Sequence, residues 1–414
     1  MSRKSKLDYP SLIVFVLLLA IGFFSIYSSE YNGGRINYLE GKQLKQFIWV
    51  GISLSIGFVL LLLSNSFFQV FSIPIYLFTI ILLFLVLFIG AEIAGSKSWI
   101  VLGPLKIQPA EFAKFGTSLA LASAMSKHGF KINNLRDLTI SLLIVLVPFS
   151  LILLQGDAGS ASVYLAFYVP MFLMGLSGRY FLLAVFGALI FILTIRFGFL
   201  YVAFTTLFLG LIFSLFNWTK KSNLFYSLIL LLFSVGLSFV SESIVNSLLR
   251  PHQKSRVEVL LGIKEDRFGA GYNVFHSKTA IGSGGFWGKG YLKGSHNKGD
   301  FVPEQSTDFI FTSFAEEFGW LGSIVLIVLF GFLIYRILTV SFQFEAVFPR
   351  IYGFCVSSVL FYHTFINLAM TVGLFPVVGI PLPLISYGGS SVLAFGLLFF
   401  TYLNFSRTEY LKNK

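Results

Sequence analysis

The chain has little charge. Asp, Glu, Lys and Arg make up 12% of its 414 residues, about half the share near 25% found in ordinary soluble domains. That scarcity excludes a large solvated surface and any sizeable separate soluble domain. Cysteine is nearly absent: Cys355 stands alone inside an apolar run, so neither a disulfide framework nor a cysteine metal site can be built. The first apolar run starts near Pro10 and lacks a small-residue cleavage pattern, so it reads as a retained helix rather than a signal peptide. No internal repeat is visible. A nucleotide loop is missing too. GSGGFWGKG at 282–290 has Gly282 and Gly288 one residue too far apart, and Gly290 follows Lys289 where Ser or Thr is needed.

What the chain has instead is apolar sequence. Hydrophobic residues make up 56%, in repeated runs of about 20, the length that crosses a bilayer as a helix. Backbone polar groups in hydrocarbon must be satisfied within the segment, so the fold class is all-α, a polytopic helical membrane protein. Candidate spans are 10–28, 46–64, 68–90, 110–126, 136–154, 160–177, 180–196, 199–217, 224–245, 309–335, 351–371 and 386–404, twelve in all. The fourth is the weakest, because it contains Glu111 and Lys114. The net charge of +12 forms no stripe or tail. The basic residues sit between apolar runs and read as topology signals and lipid-surface contacts, with no nucleic-acid partner. With the N-terminus inside, fourteen Lys and Arg fall in short cytoplasmic loops and tails against six in short outer loops. This bias predicts both termini in the cytoplasm and the long segment 246–308 outside. The expected organisation is one integral membrane domain, 1–414, with 246–308 as its large extracytoplasmic loop.

Polar residues gather at the predicted outer ends of the spans. Asp308, in FVPEQSTDFIFTSFAEEFG (301–319), stands at the edge of an apolar run, and Glu316 and Glu317 follow in the same stretch. Asp308 reads either as a helix cap or as a functional acid, since charge at a membrane-segment edge usually has a task or a partner. Glu111 and Lys114 are three apart, hence on one helix face. They form either a self-satisfied ion pair or a site where Lys114 holds an anion. Asp157, in LQGDAGS, reads by itself as a turn residue. His363 and Asn367 are most simply an interhelical hydrogen-bonding pair. The segment GLFPVVGIPLPLISYGGSS (373–391) reads as ordered, irregular backbone, which at membrane depth must be shielded by protein or line a cavity. An outward-facing polar cavity accounts for Glu111, Lys114, Asp157 and Asp308 together.

Six stretches carry a resemblance: 95–115, QGDAGSA (155–161), RPHQKSRVEVLLGI (250–263), 269–295, PEQSTDFIFTSFAEEFG (303–319) and FPVVGIPLPLISYGGSS (375–391). Together they resemble the SEDS family (shape, elongation, division and sporulation), over nearly the whole chain and on its elongation branch. The resemblance implies a peptidoglycan glycosyltransferase that polymerises lipid II at the outer face of the bacterial plasma membrane. The implied partners are lipid II and the growing lipid-linked strand, a class B penicillin-binding protein, and other membrane proteins of the elongation complex. In the family's motifs the catalytic acid falls on Asp308, the substrate-binding Glu and Lys on Glu111 and Lys114, and a further Asp on Asp157. Lys97, Arg250, Arg256, Lys289 and Glu304 complete the implied substrate contacts. The chain departs from the pattern at Ser98, where the family usually has Arg, and at His276, where it usually has Gln. It also has two spans more than the family's usual ten, within 180–245. A re-entrant hairpin there is the alternative.

One essential carboxylate suits this chemistry. A sugar hydroxyl needs a positioned base as the new bond forms. A glycosidase also needs an acid for its alkoxide leaving group, whereas a diphosphate leaves without a proton and needs cations. Those cations are Lys, Arg or a divalent metal, Mg or Mn; no cofactor is fixed by the sequence. The competing readings are a transporter or lipid-precursor flippase, which predicts mid-membrane charges and a repeat, the division paralogue of the same family, and a non-catalytic scaffold.

Overall fold

The computed structural model describes residues 7–31, 41–93, 95–103, 105–216, 221–243, 251–264, 266, 269, 271–295 and 304–409. The chain forms two compact units, one of residues 1–176 and 273–414, the other of residues 177–272.

In the first unit, α1 (Tyr9–Ser29), α2 (Lys42–Leu62) and α3 (Asn65–Ile89) lead into a small antiparallel sheet. Its strands are β1 (Ala91–Ile93), β2 (Ser96–Leu102) and β3 (Leu105–Ile107), with Glu92 opposite Lys97 and Ile100 opposite Ile107. Helices α4 (Pro109–Met125) and α5 (Leu135–Leu154) follow. The sixth predicted span is a broken helix: α6 (Ala158–Ser162), a 3-10 turn (Val163–Phe167) and α7 (Tyr168–Leu173). The second unit holds α8 (Arg179–Phe197), α9 (Phe199–Phe216), α10 (Lys221–Ser243) and α11 (Pro251–Leu260). Inside it the Thr194 hydroxyl on α8 donates to Ser238 on α10 at 3.2 Å. The chain then forms α12 (Tyr272–Ser283), α13 (Ile310–Phe342), α14 (Val347–Thr371) and α15 (Gly389–Thr408).

Each of the twelve predicted spans therefore falls on helix. Among the described residues, eight helices are long and apolar enough to cross a membrane, and the chain is a multi-pass membrane protein. The large loop 246–308 is partly helical, through α11 and α12.

Burial explains why the fourth span looked weak. Its helix, α4, is enclosed by protein along nearly its whole length, so it need not be apolar. Small residues let its neighbours approach: a Cβ on Gly116 would lie 2.7 Å from the Thr79 hydroxyl of α3. Close packing through small residues is how membrane helices associate without a hydrophobic driving force. Helices α14 and α15 are also central, 78% and 83% buried, whereas α2 is only 17% buried and turns its apolar side chains outward.

The Gly-rich stretch after α12 is packed backbone to backbone. Helix α13 breaks at Gly319, which has φ 64°. The segment 285–290 threads into that break. Lys289 and Gly290 amides donate to the Glu316 and Glu317 carbonyls at 3.0 and 2.9 Å, and the Trp320 amide donates to the Gly285 carbonyl at 2.9 Å. Gly288 sits at φ 79°, and a Cβ there would collide with the Glu317 carbonyl. Only glycine allows both that φ and that approach.

Candidate active site

The site is built around the irregular segment between α14 and α15. Asp308 lies half-buried just before α13. The helix N-cap is Phe309, which makes no side-chain cap hydrogen bond of its own. The Asp308 carboxylate faces Gly379: a Cβ built there would lie 3.4 Å from Asp308 Oδ2. Its backbone carbonyl accepts from Asn367 Nδ2 at 2.8 Å, and the same amide donates to the Ile380 carbonyl at 2.8 Å. The preceding residues are tied down as well. Tyr387 N donates to the Ser306 carbonyl at 2.8 Å, Ser386 Oγ to the Thr307 carbonyl at 2.6 Å, and Lys42 Nζ to Ser306 Oγ at 2.8 Å. Glu304 is exposed, at φ 59°. It accepts from Thr307 Oγ1 at 2.8 Å, and its carbonyl accepts the Phe309 amide at 3.2 Å, so it shapes the turn that presents Asp308.

Glu111 and Lys114 pair at 2.8 Å, both buried, one turn into α4. Lys114 Nζ also lies 2.9 Å from His363 Nε2 on α14 and 5.1 Å from the Phe395 ring centre on α15. His363 thus belongs to this cluster rather than pairing with Asn367, while its Nδ1 reaches the Pro381 carbonyl at 3.4 Å. Both residues hold the 380–381 backbone, one turn apart on α14.

Asp157 caps α6 and accepts from Ser160 N and Oγ at 2.9 Å each. It also accepts from Gln108 Nε2 at 2.7 Å, which joins the turn to the start of α4. Desolvation pushes its carboxyl above the ordinary carboxylate range, and the Ser160 and Gln108 bonds pull it back. The turn abuts the same segment, since a Cβ on Gly159 would collide with the Val378 carbonyl. Residues 378–381 therefore touch the Asp157 turn, Asp308, His363 and Asn367.

The other expected contacts divide. Lys97 Nζ donates to the Phe88 carbonyl at 3.1 Å, at the last turn of α3, where a cation meets orphan carbonyls. Its neighbour Ser98 is buried and bonded to Ser96. Lys289 is bound to buried Glu316 at 2.6 Å, with Ser295 on the same carboxylate. Arg256 lies on α11 in the other unit. Arg250 lies outside the described residues. Among the described residues no cluster of three or more His, Cys, Asp or Glu could hold a metal ion. Gln108 and Ser160 acquire roles that sequence reading did not assign, and His363 and Asn367, expected to hydrogen-bond between helices, acquire named partners. The available signal was that Gln108 and Ser160 are polar residues within the quoted motifs, whereas His363 and Asn367 lie outside them.

The comparisons agree on one family. The FtsW/RodA/SpoVE family of cell cycle proteins matches residues 10–208 and 201–410. The peptidoglycan glycosyltransferase MrdB of Escherichia coli K12 is 31% identical over 391 residues, covering 94% of this chain and 90% of that one. The peptidoglycan glycosyltransferase RodA of Treponema pallidum is 31% identical, covering 95% and 97%. Among solved structures, a peptidoglycan synthase complex, described as coordinating polymerization and crosslinking, matches with TM-score 0.73, 27% identity and 98% coverage of both chains. The rod-shape-determining protein RodA of Thermus thermophilus matches with TM-score 0.64, 26% identity and 98% coverage of both. The chain belongs to the FtsW/RodA/SpoVE family, which is the SEDS family that its motifs resemble.

Proposed function

We propose that this protein is a peptidoglycan glycosyltransferase of cell elongation, joining lipid II units into glycan strands at the outer face of the bacterial plasma membrane. Relatives bearing that activity in their names support the reading. So does the single observation on which the mechanism rests: Asn367 holds the Asp308 backbone, and the Asp308 carboxylate lies against Gly379 of the irregular segment that also meets Asp157 and His363. Asp308 is the general base that takes the proton from the GlcNAc 4-hydroxyl of the incoming lipid II. The freed oxygen forms a bond to the anomeric carbon of the growing strand, and the bond from that carbon to the lipid diphosphate breaks. Asp157, Glu111 and Lys114 order the cavity around it, acting with His363. Both termini are cytoplasmic, and a class B penicillin-binding protein raises the rate.

The test is purified protein with lipid II, with and without the transpeptidase, followed by gel separation of glycan products. Asp308→Asn removes the base but keeps the shape, so polymerisation should fall by about 10²–10⁴-fold at unchanged expression and unfolding temperature. Near-normal polymerisation by this variant would remove the mechanism.

A further inference from the structure

Lys114 is enclosed on every side the structure describes. Its side chain is 1% exposed, and its Nζ meets Glu111 Oε2 at 2.8 Å, His363 Nε2 at 2.9 Å and the Phe395 ring centre at 5.1 Å. Paired with a carboxylate it is an ammonium, which only donates. His363 Nε2 therefore accepts, and the proton of the neutral ring is on Nδ1. Nδ1 faces the Pro381 carbonyl at 3.4 Å, a group that only accepts. The two neighbours thus require the same tautomer. The ring stands edge-on to Phe395, with centroids 5.0 Å apart and planes at 86°, so it is held in that orientation.

Pro381 ends a run of residues that each meet a different group. The Val378 carbonyl abuts Gly159 in the Asp157 turn, Gly379 faces Asp308 Oδ2, the Ile380 carbonyl accepts from Asn367, and the Pro381 carbonyl from His363. From Pro381 a polar chain leads back through buried protein. It passes from His363 to Lys114 and Glu111, then from the Glu111 amide to the Gln108 carbonyl at 3.1 Å, and from Gln108 Nε2 to Asp157 at 2.7 Å. Both ends of the chain reach 378–381, so the segment opposite Asp308 is fixed from two sides. We propose that His363, as its Nδ1–H tautomer, is a positioning residue for the transfer: it ties the Pro381 carbonyl to the Lys114 ammonium and so sets where 379–381 lie against the Asp308 carboxylate. Lys114 serves the reaction from inside the protein, through His363, and does not touch the diphosphate. This rests on the glycosyltransferase reading above.

The test uses the purified protein with the transpeptidase and lipid II. His363→Leu removes both bonds of the ring. It should lower kcat about 10²-fold, the cost of a misplacement of about 1 Å near the chemistry, and leave KM nearly unchanged. Asn puts a donor near the Nδ1 position and keeps the bond to Pro381; Gln puts an acceptor near the Nε2 position and keeps the bond to Lys114. His363→Asn and His363→Gln should each recover part of the lost kcat. Equal kcat in all three variants, whether normal or reduced, would overturn the proposal, and so would failure of all three to fold. Combining Glu111→Gln with Lys114→Met should also lower kcat at unchanged KM. A rise in KM of about tenfold or more, as loss of a hydrogen bond to a charged group gives, would put Lys114 on the diphosphate and overturn the proposal. Imidazole 15N spectra of the unmodified protein, with the His363 signals assigned by their absence in a His363 variant, read the tautomer without reference to activity. They should show a protonated Nδ1 and a bare Nε2; the opposite tautomer or a doubly protonated ring would overturn the proposal. The expected spectrum in an unmodified protein that makes no polymer would instead refute the glycosyltransferase reading.

Discussion

Asn367 holds the backbone carbonyl of Asp308 at 2.8 Å, from a helix that begins some forty residues further along the chain. The same amide nitrogen holds Ile380, so one side chain fixes both Asp308 and the segment its carboxylate faces. Asn367→Ala leaves two carbonyls without their donor. It should destabilise the protein by about 1–3 kcal/mol and lower kcat for polymerisation with little change in KM. Thermal unfolding in detergent and steady-state kinetics read the two effects, and an unchanged kcat would deny Asn367 a positioning role.

The buried pair of Glu111 and Lys114 makes a thermodynamic prediction. Lys114→Met leaves Glu111 charged in a dry interior, a loss on the order of 3–5 kcal/mol. Glu111→Gln alone leaves Lys114 beside His363 and Phe395 without its ion-pair partner. The double variant should recover much of the loss, because no charge is left unpaired. Additive effects in the double-mutant cycle would show that the pair is not coupled.

Two glycines, one packed against the break in α13 and one within that helix, should behave oppositely. Gly288→Ala puts a Cβ into the Glu317 carbonyl at a left-handed φ, and should expel the Gly-rich segment from the break in α13, with loss of expression and activity. Gly331→Ala, inside α13 with open space around it, should be neutral or stabilising by up to about 1 kcal/mol. Equal tolerance at both positions would contradict the packing.

Topology is open to labelling. With Cys355→Ser as background, a cysteine at exposed Lys293 should react with an impermeant maleimide added to intact cells, and one at Ser222 should react only after permeabilisation. Outside labelling of Ser222 would overturn the proposed orientation.

Much of the fold was legible because its signal is local. Hydrocarbon solvates no free backbone, so each crossing must be a helix of about 20 apolar residues, and all twelve predicted segments are helical. The sheet at 91–107 escaped notice, because three strands of three to seven residues are too short for alternation to register. The broken helix at 158–173 is similar, since hydropathy does not sense a 3-10 turn.

The sequence by itself determined the membrane class, the positions of the spans, and the motifs that bring Asp308, Glu111, Lys114 and Asp157 under suspicion. Only the tertiary structure decided their partners. Lys114 meets His363, Asp157 meets Gln108, Asp308 meets Asn367, and the glycines of 285–290 enter the break at Gly319. Helical periodicity reports which face a residue occupies within about four positions of its neighbours. These contacts join residues tens to hundreds of positions apart, and they form only when separate helices pack.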